Sequence, residues 1–502
     1  MPGLGAGTFG AGTFGAAGAP WRPGDQWPSG TPGGAAAPSW GGYVRLWLRA
    51  ALQPGRSFHM GAHPDDRLDA GNVMGGGAAV SSAMGKAGVG EHLWIDLTCD
   101  TIDAEIQGGA TGSGGIFSKA DAATITITLM DPTGKYDPLN GHSPFAYGGR
   151  SRLVPGTPIE AFTEVVNGDT GAWERHYLFV GTADSWGEDW TPNPKERTCT
   201  VIATDITKNF VRMNRPEQPP VGAGDTVQQR IHRIVDFFDW PGEIVDPPGG
   251  SLVTLQETTL AQPAWELLNR ATDDEIGYVY FDPEGRLRWI NRQAWSVISD
   301  PVLTFSCPYT GPAGFDVLTD AAPSTLDLQM RNTVYASRSG GTMQEALSQS
   351  SVDRYGSYEY RRTDLGVDSD TQAGEWAEYV VVLYAYPQIS LADVTMLPAI
   401  ADRSWEVWTG VLGLTMVTDL VRIVWAPPDR PDDVVDAVSR VVGLAHRITR
   451  NSWEVQYQLV AASALGFSGS VFTMGSHAQD RLDSGYVMGF TVTPGRELED
   501  AH

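Results

Sequence analysis

The stretch ATITITLMDPTGKYDPLNG, residues 123–141, carries the pattern that decides the fold of this chain. Ile125, Ile127 and Leu129 alternate with threonine, which is the period of a β-strand that buries one face. The residues that follow are rich in Asp, Pro and Gly, and these residue types favour turns. The stretch therefore predicts a strand that ends in an ordered turn.

Strand-like segments lie on both sides of this stretch, from about residue 91 to residue 213. They include residues 158–165, 176–186 and 197–205, which are rich in β-branched and aromatic residues. Several short strands separated by turn formers are typical of a sandwich or a barrel. We therefore expect a first β domain at residues 91–213.

Residues 214–300 have a different pattern, which predicts a small α+β domain. After the break PEQPPVGAGD, Asp225 or Thr226 is a candidate N-cap for a helix. A second helix is expected to begin near Pro263, and a hairpin with its turn at residues 282–285 follows it. The first helix places five apolar residues on one face: Val227, Ile231, Ile234, Val235 and Phe238.

Residues 301–462 predict a second β domain that contains one helix. A β segment spans residues 326–337, and strands are expected again from Trp405 to Leu459. Between them, residues 372–386 carry apolar side chains at helical spacing. The expected fold class is therefore mainly β with some α.

The composition excludes some classes of function. The chain has 502 residues and a formal net charge of -25, and its surface should therefore repel phosphate backbones. Cys99, Cys199 and Cys307 lie about a hundred residues apart, so they predict neither a disulfide framework nor a zinc site. No basic leader and no apolar stretch of about 20 residues is present, and we expect no export signal and no membrane anchor.

The two ends of the chain share a repeated unit. FHMGAHPDDRLDAGNVMG (residues 58–75) and FTMGSHAQDRLDSGYVMG (residues 472–489) are identical at 12 of 18 positions. We call this unit the clasp repeat and assign its copies to residues 46–90 and to residues 463–502, which also hold the C-terminal tail. Residues 1–45 form a Gly/Pro/Ala-rich N-terminal arm. This arm has too few residues to bury for burial to offset the conformational entropy lost on ordering.

The first clasp contains AHPDD, which resembles the signature of zinc-dependent N-acetylglucosamine deacetylases. A catalytic zinc site needs three protein ligands at the end of a buried strand. The residues before His63 are not an apolar strand, Arg67 stands where the deacetylases have Glu, and the second copy lacks Pro64 and Asp65. A structural clasp with a hydrogen-bonded turn histidine at His63 and His477 is the better interpretation, and no catalytic, cofactor or metal ligand is predicted.

Apolar residues that both clasp copies keep are candidates for assembly contacts, because an exposed apolar patch would otherwise favour aggregation. The predicted contact residues are Phe58, Met60 and Met74 in the first copy and Phe472, Met474 and Met488 in the second.

The order of several segments adds a family resemblance. IFSKADAATITITLMDPTGKYDPL, LVPGTPIEAF, YLFVGTADSW and TCTVIATDI resemble, in that order, the first domain of tail-hub or minor tail proteins of long-tailed bacteriophages. AWELLNRATDDEIGYVYFDPEGRLRWINR is similar to the helix and hairpin of that family, and VVGLAHRITRNSWEVQYQLV falls at the position of its last strands. The resemblance covers residues 91–461; each motif is weakly specific, and their order carries the argument.

The resemblance implies two related β-barrel hub domains, residues 91–213 and 301–462, joined by the α+β unit at residues 214–300. It implies a homotrimer at the tail tip whose ring joins the tail tube or distal tail protein to the tip and leaves an axial path for DNA. The implied partners are the tape measure protein and other tail-tip proteins. The protein would be assembled in the host cytoplasm, remain in the virion, bind no specific nucleic acid sequence and need no cofactor.

Two other functions stay open at this point. One is a tail-associated enzyme acting on host glycans, either a zinc deacetylase or a hydrolase, in which Asp273, Asp274 and Glu275 would supply carboxylates; a solvated helix end is the simpler interpretation. The other is a glycan-binding adhesin. Six tryptophans could stack sugars, although Trp in β-rich domains is more often core or interface: Trp186, Trp190, Trp289, Trp405, Trp408 and Trp453.

Overall fold

The computed structural model describes residues 39–40, 44–52, 93–110, 119–168, 170–251, 253–292, 301–306, 315–316, 318–326, 330–398, 405–414, 416, 419–425 and 435–461. Within these residues the chain is mainly β with some α, as the sequence predicts. No described helix is long and apolar enough to cross a bilayer.

The described residues of the first β region form ten strands: β1 (Ser39–Trp40), β2 (Val44–Leu52), β3 (Leu93–Asp96), β4 (Thr101–Ala110), β5 (Ala120–Met130), β6 (Ala146–Tyr147), β7 (Arg150–Ser151), β8 (Pro158–Val166), β9 (Trp173–Asp189) and β10 (Thr198–Thr204). The mixed region that follows contains α1 (Thr207–Arg212), β11 (Asp225–Thr226), α2 (Val227–Phe237), β12 (Ile244–Val245), β13 (Thr254–Leu255), α3 (Ala264–Asp273), β14 (Tyr278–Phe281) and β15 (Leu287–Ile290).

The remaining elements are β16 (Leu303–Ser306), β17 (Phe315–Asp316), β18 (Leu318–Leu326), β19 (Thr333–Arg338), β20 (Gln344–Leu347), α4 (Gln349–Tyr355), β21 (Glu359–Leu365), α5 (Asp370–Tyr384), β22 (Gln388–Met396), α6 (Trp405–Gly413), β23 (Leu420–Trp425), β24 (Val435–Thr449) and β25 (Trp453–Ala461).

The alternation in residues 123–130 produces β5, whose Ile125, Ile127 and Leu129 are fully buried while the threonines between them face outward. We call β2–β5 and β8–β10 the N-terminal half. Its pairing order is β2–β8–β9–β10–β5–β4. The segment 93–110 pairs with strands at both ends of this order. Its β3 pairs with β2 and its β4 pairs with β5, and a short turn at Thr98–Asp100 connects β3 to β4.

The C-terminal half, formed by β16–β18 and β22–β25, repeats this order. Its strands pair as β16–β23–β24–β25–β22–β18, and β17 pairs back to β16. Each strand therefore has a counterpart in the N-terminal half: β16 for β2, β17 for β3, β18 for β4, β22 for β5, β23 for β8, β24 for β9 and β25 for β10. One difference is direction, since β16 runs parallel to β17 and β23 whereas β2 runs antiparallel to β3 and β8.

Register and bulges repeat as well. The β9–β10 ladder shifts at Asp184, between Ala183 and Ser185, and the β24–β25 ladder shifts at Val442. Counting from these bulges, Val201 corresponds to Tyr457, and their partners Ile127 and Val394 lie on corresponding strands. Because the side-chain period of a strand is two, this match places the same positions of both halves in the core.

The two halves are joined edge to edge. β4 pairs antiparallel with residues 443–449 of β24, so that strands of both halves belong to one 15-stranded sheet. One hydrophobic core runs through both halves, from Leu46 and Ile127 to Trp408 and Tyr457.

A second core belongs to the mixed region. α2 begins at the expected place, with a capping box in which the Thr226 hydroxyl accepts from the Gln229 backbone N–H and the Gln229 side chain accepts from the Thr226 N–H. The hairpin β14–β15 turns at Asp282–Gly285 as expected. This core also contains Val334, Leu365 and Trp376, so residues of β19, β21 and α5 pack with the α+β unit although the sequence places them within residues 301–462.

The sequence predicts one helix in residues 301–462, and the described part of this range has three, α4, α5 and α6. The expectation of strands from Trp405 onward is wrong at its start, because residues 405–413 are helical. Val407, Trp408 and Val411 of this segment are all buried. A short apolar run has no period that separates a buried helix from a buried strand, which explains the error.

Candidate assembly surfaces

The six predicted contact residues, Phe58, Met60, Met74, Phe472, Met474 and Met488, lie outside the described residues, as do the clasp histidines and the N-terminal arm up to residue 38. The surfaces of the two halves are described, and they provide a different set of candidate contacts. In the described part of the chain no group of three or more His, Cys, Asp or Glu side chains could hold a metal ion.

The join between β4 and β24 shows how one half binds another. Glu105 lies opposite Arg447, with Oε1 3.5 Å from Nε, and Arg447 also lies 3.7 Å from Glu454. These side chains are about half exposed, so the ion pairs contribute little, and the main-chain ladder and the buried side carry the join.

The buried side of the join is apolar. Ile448 is 3% exposed, and the Trp453 indole N–H donates to Nδ1 of His446 at 3.2 Å. Burial lowers the pKa of His446 to about 4, so this imidazole is neutral above that pH. The join therefore contains no buried charge at His446 near neutral pH.

Gly109 makes the close approach of β4 and β24 possible. Its φ is 94°, and a Cβ built there would lie 2.4 Å from the Val442 carbonyl oxygen and 2.7 Å from the Gly443 Cα. Only glycine adopts this conformation without strain and leaves room for the facing backbone. Residue 109 is a functional position that pattern reasoning missed; a Gly at the end of an otherwise regular strand is the signal that could have revealed it.

The join produces a wide sheet face that crosses both halves, through β9, β10, β5, β4, β24, β25 and β22. Its outward side chains pair directly across the strands and are mainly small or polar: Thr198, Thr200, Thr124, Thr126, Thr128, Asp103, Glu105, Gln107, Arg447, Glu454, Gln456 and Gln458. Three of them are carboxylates and one is a cation, so this face is mildly acidic.

A cluster of exposed apolar residues lies at one end of the N-terminal half. Trp190 follows the last residue of β9 and is 62% exposed, and Leu139 is 77% exposed. The indole N–H of Trp190 donates to Asp137 Oδ2 at 3.1 Å, which orients the ring. Met130, at the end of β5, is also exposed.

The other tryptophans of the glycan hypothesis are core residues where their side chains are described. Trp186, Trp289, Trp408 and Trp453 are all less than 10% exposed. Trp289 donates to Asp246 Oδ1 at 2.7 Å, and the same carboxylate lies 3.0 Å from His232 Nε2.

This His–Asp pair borders an open cavity of about 790 Å³ on the outer face of α2. Its described lining contains no serine, threonine or cysteine that His232 could activate as a nucleophile. The pair therefore does not form a catalytic triad with the residues of this cavity.

The carboxylates after α3 are not a solvated helix end, and that expectation is wrong. Asp274 is 3% exposed and accepts from Arg362 Nη2 at 3.3 Å, while Glu275 is 1% exposed and its Oε2 is buried without a hydrogen-bond partner. Burial raises the pKa of Asp274 to about 6 and that of Glu275 to about 7. The α+β core closes over the end of this helix, which residue spacing alone does not reveal.

The raised pKa of Glu275 predicts a pH-dependent stability. The Glu275 carboxyl binds a proton more tightly in the folded chain than in the unfolded chain, where its pKa is about 4.5. The free energy of unfolding therefore falls as the pH rises from about 4.5 to about 7. We expect Glu275→Gln to stabilise the fold by about 1–3 kcal/mol at pH 8 and by much less at pH 5, measured by urea unfolding at both values. Glu266→Gln, which removes an exposed charge from α3, is the control and should show no such gain; an equal gain at both pH values would contradict the prediction.

No family model matches the sequence, and no curated protein matches it. Solved structures similar to the chain include a tail protein from Neisseria meningitidis MC58, at 13% identity and a TM-score of 0.48, over 72% of this chain and 91% of that one.

Two further similar structures come from prophages. The 43 kDa tail protein of prophage MuSo2 from Shewanella oneidensis has 11% identity and a TM-score of 0.46, over 73% of this chain and 95% of that one. The prophage tail protein gp18 from Listeria monocytogenes EGD-e has 10% identity and a TM-score of 0.42, over 73% and 90%. The chain is thus similar in structure to phage tail proteins, the class of protein that its sequence resembles.

Proposed function

We propose that this chain is a structural protein of a bacteriophage tail tip and that its work is to assemble as a ring. The observation that carries the proposal is the duplication: two halves share one pairing order and register and are joined edge to edge through β4 and β24. In this proposal each half is a β-barrel, closed through residues 93–110 in one half and residues 315–326 in the other. A chain built of two like units is suited to tiling around an axis.

The β4–β24 contact is heterologous, because it uses different surfaces of the two halves. Heterologous contacts that repeat produce a closed ring when the rotation closes and a filament when it does not. Three copies would place six like units around an axis, which matches a hexameric ring of tail tube or distal tail protein. The tape measure protein and other tail-tip proteins would be the further partners, as the family resemblance implies.

The polar sheet face is the proposed wall of the axial path for DNA. Among the outward residues of this face named above, the carboxylates at Asp103, Glu105 and Glu454 outnumber the cation at Arg447. A wall that repels phosphate and lacks basic pockets does not retain a passing duplex. A lumen lined by lysine and arginine in an assembled tail would contradict this part of the proposal.

Native mass spectrometry and electron microscopy of the purified chain test the ring directly. The expected result is a trimer with six similar densities around a central opening. A zinc measurement on the same sample tests the alternative of a tail enzyme: one zinc per chain that is lost with His63→Ala would favour the deacetylase, whereas zinc-free rings favour the structural role.

The clasp repeats are the proposed contacts to neighbouring proteins, through Phe58, Met60, Met74, Phe472, Met474 and Met488. Removing residues 463–502 should leave the described fold intact, because β25 ends at Ala461, but should strongly reduce incorporation into tails. The measurement is the yield of tails that carry the truncated chain, with circular dichroism as the folding control. A matched variant that replaces only Arg496 and Glu497, beyond the repeat, should incorporate normally; full incorporation of the truncated chain would contradict the assignment.

A further inference from the structure

Among the described strands, the join within one chain leaves two equivalent edges open. The join uses the edge of β4 that faces away from β5. On β24 it uses residues 443–449, which follow the residues 435–440 that pair with β23. The counterpart of β4 is β18, and the counterpart of that part of β24 is residues 185–189 of β9. Among the described strands β18 pairs only with β22, and β9 pairs only with β8 and β10.

The bulges identify which residues correspond. Counted from the β24 bulge at Val442 and the β9 bulge at Asp184, Arg447 corresponds to Asp189 and Ile448 corresponds to Trp190. The β4–β5 ladder shifts between Thr101 and Asp103, and the β18–β22 ladder shifts between Leu318 and Asp320. By this count, Glu105 of β4 corresponds to Ala322 of β18, where the β18–β22 ladder shifts a second time, between Ala321 and Pro323.

The equivalent positions Ile448 and Trp190 differ in exposure, as expected if the contact is made at β24 and still open at β9. Ile448 is 3% exposed where β4 covers β24, whereas Trp190, one residue past the end of β9, is 62% exposed. A large aromatic side chain left in water beside an unpaired strand edge is a feature of interfaces.

We propose that β18 of one copy pairs antiparallel with residues 185–189 of β9 in the next copy, with Ala322 opposite Asp189, and that Trp190 is buried there. The partner is thus a second copy of this chain, bound by the same contact that joins β4 to β24. This inference rests on the proposed ring and identifies its copy-to-copy contact. Pro323 lacks a backbone N–H and follows Ala322, so this ladder is shorter than the seven pairs from Asp103 to Gly109 and the contact is weaker than the join within the chain.

Cysteine cross-linking between separately prepared chains tests the contact. Asp189→Cys protein mixed with Ala322→Cys protein should form a disulfide-linked dimer on oxidation, because directly opposite residues have Cβ atoms about 4.5–5.5 Å apart. Each variant alone should not cross-link at this pair, since the interface is heterologous. The double variant Glu105→Cys with Arg447→Cys is the positive control, and its disulfide should form within one chain.

A chain that carries both Asp189→Cys and Ala322→Cys should give linked species up to three copies and no larger. A trimer seen by native mass spectrometry without this cross-link overturns the assigned contact while leaving the ring intact. A cross-linked ladder that continues without limit supports the contact and contradicts the closed ring. A chain that stays monomeric and unlinked at every concentration contradicts both.

Trp190→Arg provides an independent measurement. We expect it to weaken self-association by roughly tenfold or more, since buried tryptophans are frequent anchors of interfaces. The control is Trp173→Arg, at the other end of β9, where the ring is 39% exposed and lies 3.8 Å from the Arg45 guanidinium. Equal effects of the two variants would count against the contact.

Discussion

Replacing Arg49 with leucine is expected to destabilise the chain by about 3–5 kcal/mol, because it leaves the Glu160 carboxylate buried without its cation. Arg49 and Glu160 are opposite each other on β2 and β8, their side chains are 3% and 0% exposed, and they form an ion pair through Nε and Oε2. The guanidinium also lies 4.7 Å from the Trp94 ring and 4.8 Å from the Phe162 ring. The pair therefore lies in a closed environment where one charge alone is costly.

Denaturant unfolding of the variant and of two companions measures this effect. Arg49→Met combined with Glu160→Leu removes both charges and should recover most of the lost stability, since well-packed apolar replacements of buried ion pairs are often neutral. Arg45→Leu, on the same face of β2 but only partly buried, should cost less than about 1 kcal/mol. If Arg49→Leu were as mild as Arg45→Leu, the pair would not be buried as described.

Replacing Gly109 with alanine is expected to destabilise the join between the two halves by about 2 kcal/mol or more. The cause is twofold, since alanine is strained at a φ of 94° and its Cβ would meet the Val442 carbonyl oxygen at 2.4 Å. The facing atoms are backbone of β24 and cannot move aside without breaking the ladder. The effect should therefore appear as faster amide exchange in β4 and in residues 443–449.

Gly108→Ala is the matched control, one residue away on the same strand. Its Cβ would lie 3.4 Å from Ala123 Cβ, which is an ordinary contact, and we expect a change within about 1 kcal/mol. Hydrogen exchange followed by mass spectrometry compares the two variants at the level of single strands. Unchanged exchange in Gly109→Ala would mean that the halves are not joined through this close approach.

Local patterns predicted the elements whose signals lie within one segment. The alternation in residues 123–130 identified β5, and Thr226 followed three residues later by Gln229 identified the start of α2. The apolar segment of α6 was misread as strand because it is short, and the period of a short apolar run does not separate a buried helix from a buried strand. Asp274 and Glu275 were misjudged because the elements that bury them include β21 and the loop after it, far away in the sequence.

Of the candidate assembly surfaces, one is visible in the sequence and the others only in the structure. The repeated clasp is visible in the sequence, because identity between two segments needs no knowledge of the fold. The contact between β4 and β24 joins residues more than 300 positions apart, and neither strand carries a mark of its partner. Trp190 was noted as one of six tryptophans, and only its exposure separated it from the buried ones.

The sequence by itself determined the mainly β fold class, the turn chemistry, the acidic composition and the presence of a unit repeated at both ends, since these depend on residue type and short-range spacing. Tertiary structure alone decided that the two β regions share one pairing order, that they join through β4 and β24, and which edges stay open among the described strands. The physical reason is that backbone hydrogen bonds between strands are the same for every residue except proline, so the choice of partner depends on the packing of the whole core.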